Sequence, residues 1–353
     1  MARRNEPVDV PEVDALPGLP LPHEQDQVIG HARAEAVLLN AYRSERLHHA
    51  WILGGPKGIG KATLAFRFAK FVISHPDRFS GDVLAAQSLD VPGDHPVARQ
   101  VRAGGHPNIL HLRRPWDEKN KRFKADLPVD EVRRTVSFFG TTASAGAWRV
   151  CIVDAADDMN ASSANALLKI LEEPPERCIF LVLSHAPGRL LPTIRSRCRC
   201  LDMDALTAED IKNGIRQLAP QAPEDERALQ QISAAADGSL RSAFMLLAGD
   251  GLTIASGVQA LADAGPAADL GKVHALADLV AARGQTDNWE SFQHLVANWL
   301  HVKMRGHVGA GISESYRYVR IWDDMRTLFA ETDALNLDRK QAVLDFFLKL
   351  RQT

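Results

Sequence analysis

Gly55-Pro56-Lys57-Gly58-Ile59-Gly60-Lys61-Ala62 follows the apolar run Ala50 to Leu53 and leads into Thr63-Leu64-Ala65-Phe66-Arg67-Phe68-Ala69. An apolar strand that turns through glycines into a helix is the setting of a phosphate-binding loop. The glycines let backbone N–H groups turn inward around phosphate oxygens, the helix offers its positive N-terminal end, and Lys61 reaches the outer phosphates. The full motif continues with Ser or Thr, whose hydroxyl binds Mg²⁺, whereas this chain has Ala62. Thr63 stands one place late, about 100° round the helix. The loop therefore predicts a nucleotide-binding set of Gly55, Lys57, Gly58, Gly60, Lys61, Ala62 and Thr63, and leaves open whether the nucleotide is turned over.

Downstream, Arg149-Val150-Cys151-Ile152-Val153-Asp154 reads as a strand ending in an acid. In phosphate-loop ATPases an acid at that point helps hold Mg²⁺, and a Glu that usually follows polarises the attacking water; here Ala155 follows. Alanine at both positions that handle metal and water, 62 and 155, predicts impaired hydrolysis rather than a working but unusual site. Asp157 is a weaker substitute, being shorter and offset. The next helix, Asn160 to Glu173, ends at Pro174-Pro175, as a helix does before prolines, and Leu167, Leu168 and Leu171 give it one apolar face. The strand Cys178 to Leu183 ends at Ser184-His185, where a polar residue either senses a γ-phosphate or caps the following loop. In Thr193-Ile194-Arg195-Ser196-Arg197-Cys198 an isolated arginine would read as a surface turn. Its place after a phosphate loop, an acid-ended strand and a polar-ended strand favours neutralisation of charge on a phosphoryl group, including one held by a neighbouring subunit.

The chain of 353 residues is long enough for two or three domains. Its 45% apolar and 24% charged residues fit an ordinary soluble protein, and the formal net charge of -2 excludes nucleic-acid binding through overall positive charge. A local run, Arg113, Arg114, Lys119, Lys121, Arg122 and Lys124, reads first as a solvated loop or hairpin and second as a DNA-facing patch. Cys151, Cys178, Cys198 and Cys200 lack CxxC spacing, so neither disulfide framework nor zinc site is expected, and a reduced, cytoplasmic setting is the natural reading. No apolar stretch approaches the roughly 20 residues of a membrane span, and the Pro-rich, acidic start lacks an apolar signal core. Helical periodicity is expected from about Gln27 to Tyr42, and a further helix beginning near Val129 contains Val132, Val136 and Phe139. The expected organisation is a flexible tail over 1–24, an α/β phosphate-loop core over 25–205, a helical lid over 206–250 and an all-α domain over 251–353. Thr207 with Asp210 marks a capping-box start, Gly249-Asp250-Gly251 marks a boundary, and Phe292-Leu295-Val296-Trp299 and Val343-Leu344-Phe347-Leu350 are helix-period apolar faces.

Asn165 to Pro175, Thr193 to Cys198 and the phosphate loop together resemble bacterial clamp-loader AAA+ subunits of DNA polymerase III, most of all the delta-prime branch. The resemblance covers roughly residues 25 to 250. It implies a parallel sheet flanked by helices, a helical lid and an α-helical collar that holds a pentameric ring. It also implies a member that hydrolyses ATP poorly or not at all and lends Arg197 to the ATP site of an adjacent gamma or tau subunit. Ser184 is then the first nucleotide sensor, Arg241 in Gly238-Ser239-Leu240-Arg241 the second, and Asp154 belongs to the nucleotide set. The implied partners are delta and gamma or tau and, through the complex, the sliding clamp and primed DNA; no membrane is involved. Many clamp-loader subunits carry a four-cysteine zinc module after the phosphate-loop helix. Residues 74 to 112 here have no cysteine, and His75, His95, His106 and His111 are too irregular to replace it, so no zinc is expected. Retention of Lys61 and Arg241 leaves ATP or ADP as the expected cofactor, with Mg²⁺ undecided. The rival reading is a hydrolysing gamma- or tau-like ATPase, which Ala62 and Ala155 oppose.

Overall fold

The computed structural model describes residues 11–13, 15–140, 147–154, 156–222, 225–282, 286–306 and 312–352. The chain divides into two compact units, residues 1–219 and 220–353, so the division falls inside the segment 206–250.

In chain order, the first unit runs through α1 (Ala32–Tyr42), β1 (Ala50–Gly54), α2 (Lys61–Ser74), α3 (Gly81–Ala85), α4 (Pro96–Arg102), β2 (Ile109–Leu112), β3 (Trp116–Asp117) and β4 (Arg122–Phe123). It continues with α5 (Val129–Gly140), β5 (Arg149–Val153), α6 (Ala161–Glu172), β6 (Cys178–Ser184), α7 (Pro192–Arg195), β7 (Arg199–Asp202) and α8 (Ala208–Leu218). Five strands form one sheet in the order β2-β5-β6-β1-β7, all pairs parallel, while β3 and β4 make a separate antiparallel hairpin. Every residue of β1 and β6 is buried, as unbroken apolar runs must be in a parallel sheet covered on both faces. Gly54 lies level with both Ser184 and Asp202, and Val153 level with Val182. The carboxyl ends of β1, β5 and β6 therefore line up along one edge, where open parallel sheets hold their ligands.

One core layer joins Ile52, Val153, Phe180 and Val182 of the sheet to Val132, Leu167 and Leu171 of α5 and α6, with Phe139 packed on Phe180 at 5.2 Å. Asn160 caps α6 by accepting from Ser163 N at 3.0 Å. The Thr207–Asp210 capping box is present at the start of α8. One expectation is adjusted. Helix α1 starts at Ala32, not near Gln27. The inward face of α5 is Val132, Thr135 and Phe139, because Val136 points outward at 68% exposure while Thr135 is buried with its hydroxyl donating to Val132 O.

The second unit is helical among the described residues: α9 (Glu226–Ala235), α10 (Leu240–Leu247), α11 (Gly251–Ala264), α12 (Leu270–Val280), α13 (Thr286–Gly306), α14 (Ile312–Leu335) and α15 (Arg339–Gln352). Gly249-Asp250-Gly251 links α10 to α11 inside this unit. Its core is aromatic: Trp289 and Phe292 meet Phe329 edge-on, and Phe346 meets Phe292 and Trp299. Of the two expected apolar faces, Phe292, Leu295, Val296 and Trp299 are all buried; on α15 Val343, Phe347 and Leu350 are buried and Leu344 is partly covered. No single helix among the described residues is long and apolar enough to cross a membrane.

Candidate nucleotide site

The loop leaves β1 with its backbone tied to both neighbouring strands: Gly55 N donates to Ser184 O at 3.3 Å, and Met203 N to Gly54 O at 2.8 Å. Gly55 adopts φ +145°, and a Cβ there would collide with the Met203 carbonyl oxygen, so glycine is required by both torsion and space. Gly60 enters α2 at φ +104°, again in the glycine region. Behind the loop, buried His31 donates its Nε2–H to Ile59 O at 2.8 Å. Burial holds its pKa below the usual value, so the ring there is neutral and acts as a fixed strut.

Lys61, 5% exposed, lies inside the loop and donates to the carbonyls of Gly55 (2.6 Å) and Pro56. Desolvation lowers its pKa to about 8, opposed by the charges of Asp154 and Asp157. Lys57 is exposed on the loop. Ala62 brings no oxygen. The Thr63 hydroxyl donates to Gln25 Oε1 at 3.5 Å. Asp154 follows β5, and its Oδ2 is 3.4 Å from Nε2 of His111 on β2. Ala155, the second expected loss, lies outside the described residues.

Asp157 holds the end of β6. Its Oδ1 accepts from the Ser184 hydroxyl (2.8 Å) and Ala186 N (3.2 Å), and its Oδ2 accepts from His185 N (2.6 Å). Ala186 N is also 3.2 Å from Ser184 Oγ. The Ser184 hydroxyl thus works within a loop cap. Next to it, burial and then the Lys61 charge push the His185 pKa down to about 4, so this imidazole is neutral at pH 7. Lys61, Asp154, Asp157 and Ser184 meet at the carboxyl edge of the sheet, a lysine-bearing cradle suited to phosphate oxygens. The donor set does not fit Mg²⁺ well: Asp154 is already beside His111, both oxygens of Asp157 are taken up by Ser184, His185 and Ala186, and position 62 has no hydroxyl.

Arg197 lies elsewhere. Strand β7 carries the chain from Arg199, level with Trp51, to Asp202, level with Gly54, so Arg197 precedes the strand at the amino edge of the sheet. There it meets the last residue of α6: its Nη2 is 2.8 Å from Glu172 Oε1, and its Nη1 donates to Thr193 O at 3.0 Å. Arg241 belongs to α10 in the second unit. The four histidines within residues 74 to 112 serve local structure. His75 stacks on Phe71, His95 and His106 accept backbone N–H groups through Nδ1, and His111 meets Asp154. Among the described residues no group of three or more His, Cys, Asp or Glu side chains is placed to hold a metal ion. His31, His111 and the clamping role of Asp157 carry no sequence signal of their own, since each depends on a partner distant in the chain.

A parallel sheet of this order, with a lysine-bearing glycine loop after β1, defines a phosphate-loop module of the AAA+ class. The chain belongs to the family described as DNA polymerase III, delta subunit, whose profile matches residues 30–207, from just before α1 to the start of α8. DNA polymerase III subunit delta′ of Pseudomonas aeruginosa is 35% identical over 192 residues, covering 54% of this chain and 53% of that protein. Subunit delta′ of Bacillus subtilis is 30% identical over 183 residues, 52% of this chain and 50% of that protein. Subunit tau of Bacillus subtilis is 29% identical over 233 residues, 64% of this chain and 37% of that protein. The chain spans about half the length of the curated relatives it matches, and less of tau.

Proposed function

We infer that this chain is a delta′-like subunit of a bacterial clamp loader. In this reading it binds ATP or ADP at the Lys61 loop with little or no hydrolysis and lends Arg197 to the ATP site of a neighbouring gamma or tau subunit. The assembly, with delta, places a sliding clamp on primed DNA in the cytoplasm. Ser184 and Arg241 act as its nucleotide sensors, a role that rests on the family resemblance.

The observation that carries this reading is the position of Arg197. It stands at the amino edge of the sheet, whereas Lys61 and Asp154 stand at the carboxyl edge. A guanidinium so placed stands away from the chain's own loop and, on exchanging Glu172 for phosphate oxygens, would serve an ATP site on another subunit, where such a group is worth about 10³–10⁵ in turnover. Ala62, and the commitment of Asp157 to Ser184, His185 and Ala186, support weak hydrolysis at the chain's own site.

The test combines Arg197→Ala protein with the other loader subunits and measures ATP hydrolysis stimulated by clamp and primed DNA. Turnover is expected to fall by roughly a thousandfold at the site that Arg197 serves; unchanged turnover overturns the reading. Similarity to tau subunits and the retained Lys61 favour a second reading, a hydrolysing gamma- or tau-like ATPase. Mg²⁺-dependent hydrolysis by the purified chain, lost in Lys61→Ala, would select it.

A further inference from the structure

Beyond the edge strand β2, between α2, α5 and the β3–β4 hairpin, lies a cavity of about 340 Å³, within the size range of small-ligand sites. The guanidinium groups of Arg113, Arg114 and Arg134 line it together with Trp116 and Phe123, which pack edge to face at 5.0 Å. Each guanidinium is met by a carboxylate. Arg134 pairs with Glu131, three residues away on α5, and Arg114 Nε lies 3.1 Å from Asp158 Oδ2. The acid on Arg113 has a different origin. It is Glu12, about a hundred residues earlier in the chain, which lines the cavity beside Pro11. An N-terminal carboxylate thus lies on the guanidinium of Arg113 inside a cavity where three arginines and two aromatic rings stand beside two glutamates, Glu12 and Glu131.

Forked guanidinium groups match phosphate oxygens, and aromatic faces accept stacked bases of any sequence. His23 and His106 also line the cavity, and burial lowers the pKa of each, so at pH 7 they are neutral and offer hydrogen bonds rather than charge. Lys119, Lys121, Arg122 and Lys124 on and beside the hairpin add positive charge in a chain whose net charge is -2. We propose that this cavity is a second ligand site that takes a nucleotide phosphate unit, with Glu12 holding the phosphate position on Arg113 as an internal competitor. The unit is either a free mononucleotide or a nucleotide of single-stranded DNA. The site adjoins the phosphate-loop site through two side chains. His111 lines the cavity and meets Asp154, and Phe66, five residues after Lys61 on α2, packs edge-on against His111 at 5.1 Å.

The test titrates the full chain with thymidine 5′-monophosphate and with short single-stranded oligothymidylate, with and without a 5′-phosphate. It uses wild type, Glu12→Gln, Arg113→Ala, Trp116→Ala and Lys61→Ala. Affinity should rise about tenfold in Glu12→Gln, fall about tenfold or more in Arg113→Ala and Trp116→Ala, and stay unchanged in Lys61→Ala. The gain in Glu12→Gln is a change that misfolding cannot mimic. Binding of the monophosphate identifies a free nucleotide as the ligand, and binding of the oligonucleotide alone identifies a strand. No binding of any probe, binding indifferent to Arg113 and Trp116, or no gain in Glu12→Gln overturns the proposal. Loss of binding in Lys61→Ala also overturns it, by returning the ligand to the phosphate loop.

Discussion

Lys61 is charged, almost fully buried and bonded to carbonyls of its own loop, and this has a measurable cost. Its pKa in the folded chain, about 8, lies below the ordinary 10.5. Between these values the unfolded chain holds more protons than the folded one, so stability rises with pH across roughly 8 to 10.5 and gains nothing below that window. The whole rise attributable to Lys61 is roughly 3 kcal/mol. Lys61→Met should be the more stable protein at pH 7, and its advantage should shrink as pH climbs to 10. Urea midpoints of the two proteins at several pH values measure this; parallel curves would show that the buried ammonium is not responsible. A bound phosphate would offset the same penalty, so nucleotide should stabilise wild type much more than the variant. The letters around Lys61 announced a phosphate loop, but not that its lysine would be folded back onto the carbonyls of Gly55 and Pro56, because that contact depends on the path of the loop backbone rather than on residue type.

Among the elements, the end of β6 is held by a single carboxylate. Asp157→Ala removes the acceptor for the Ser184 hydroxyl and for the amides of His185 and Ala186, and should destabilise the chain by about 2–3 kcal/mol. Hydrogen exchange at His185 and Ala186 should speed up selectively, while β1 amides keep their protection; unaltered exchange there would refute the clamp. The strands differ in how plainly the sequence declares them. β1, β5 and β6 are central, and each reads as an apolar run. β2 and β7 are the edges of the sheet: Ile109–Leu112 is interrupted by His111, and in Arg199–Asp202 only Leu201 is buried. A strand with one covered flank needs fewer apolar residues and so leaves a weaker trace. On α5 the buried Thr135 bonds its hydroxyl back to Val132 O and takes the inward place that apolar spacing alone gives to Val136. Asp157 is legible only as an acid near a strand end, since its partners lie almost thirty residues further on.

At the scale of the molecule, each compact unit has its own core. Phe180 is fully buried in the first and Phe346 in the second. Phe180→Ala and Phe346→Ala should each cost about 3–5 kcal/mol. In a calorimetric trace each should lower the transition of its own unit and leave the other in place; a single transition moved by both would show one cooperative block. The edge of the sheet on which Arg197 stands is also a whole-molecule property. Sequence order places this arginine after the loop and the acid-ended strand, and only the parallel pairing of β7 with β1 separates it from them. That pairing also governs how the chain is made. β1 sits between β6 and β7, and both are synthesised more than a hundred residues after it. At about 5–20 residues per second, Ala50-Trp51-Ile52-Leu53 emerges from the ribosome and waits several seconds or longer with neither flank covered. During translation the strand that carries the phosphate loop is therefore the one most exposed to chaperones and to pairing with a neighbouring nascent chain.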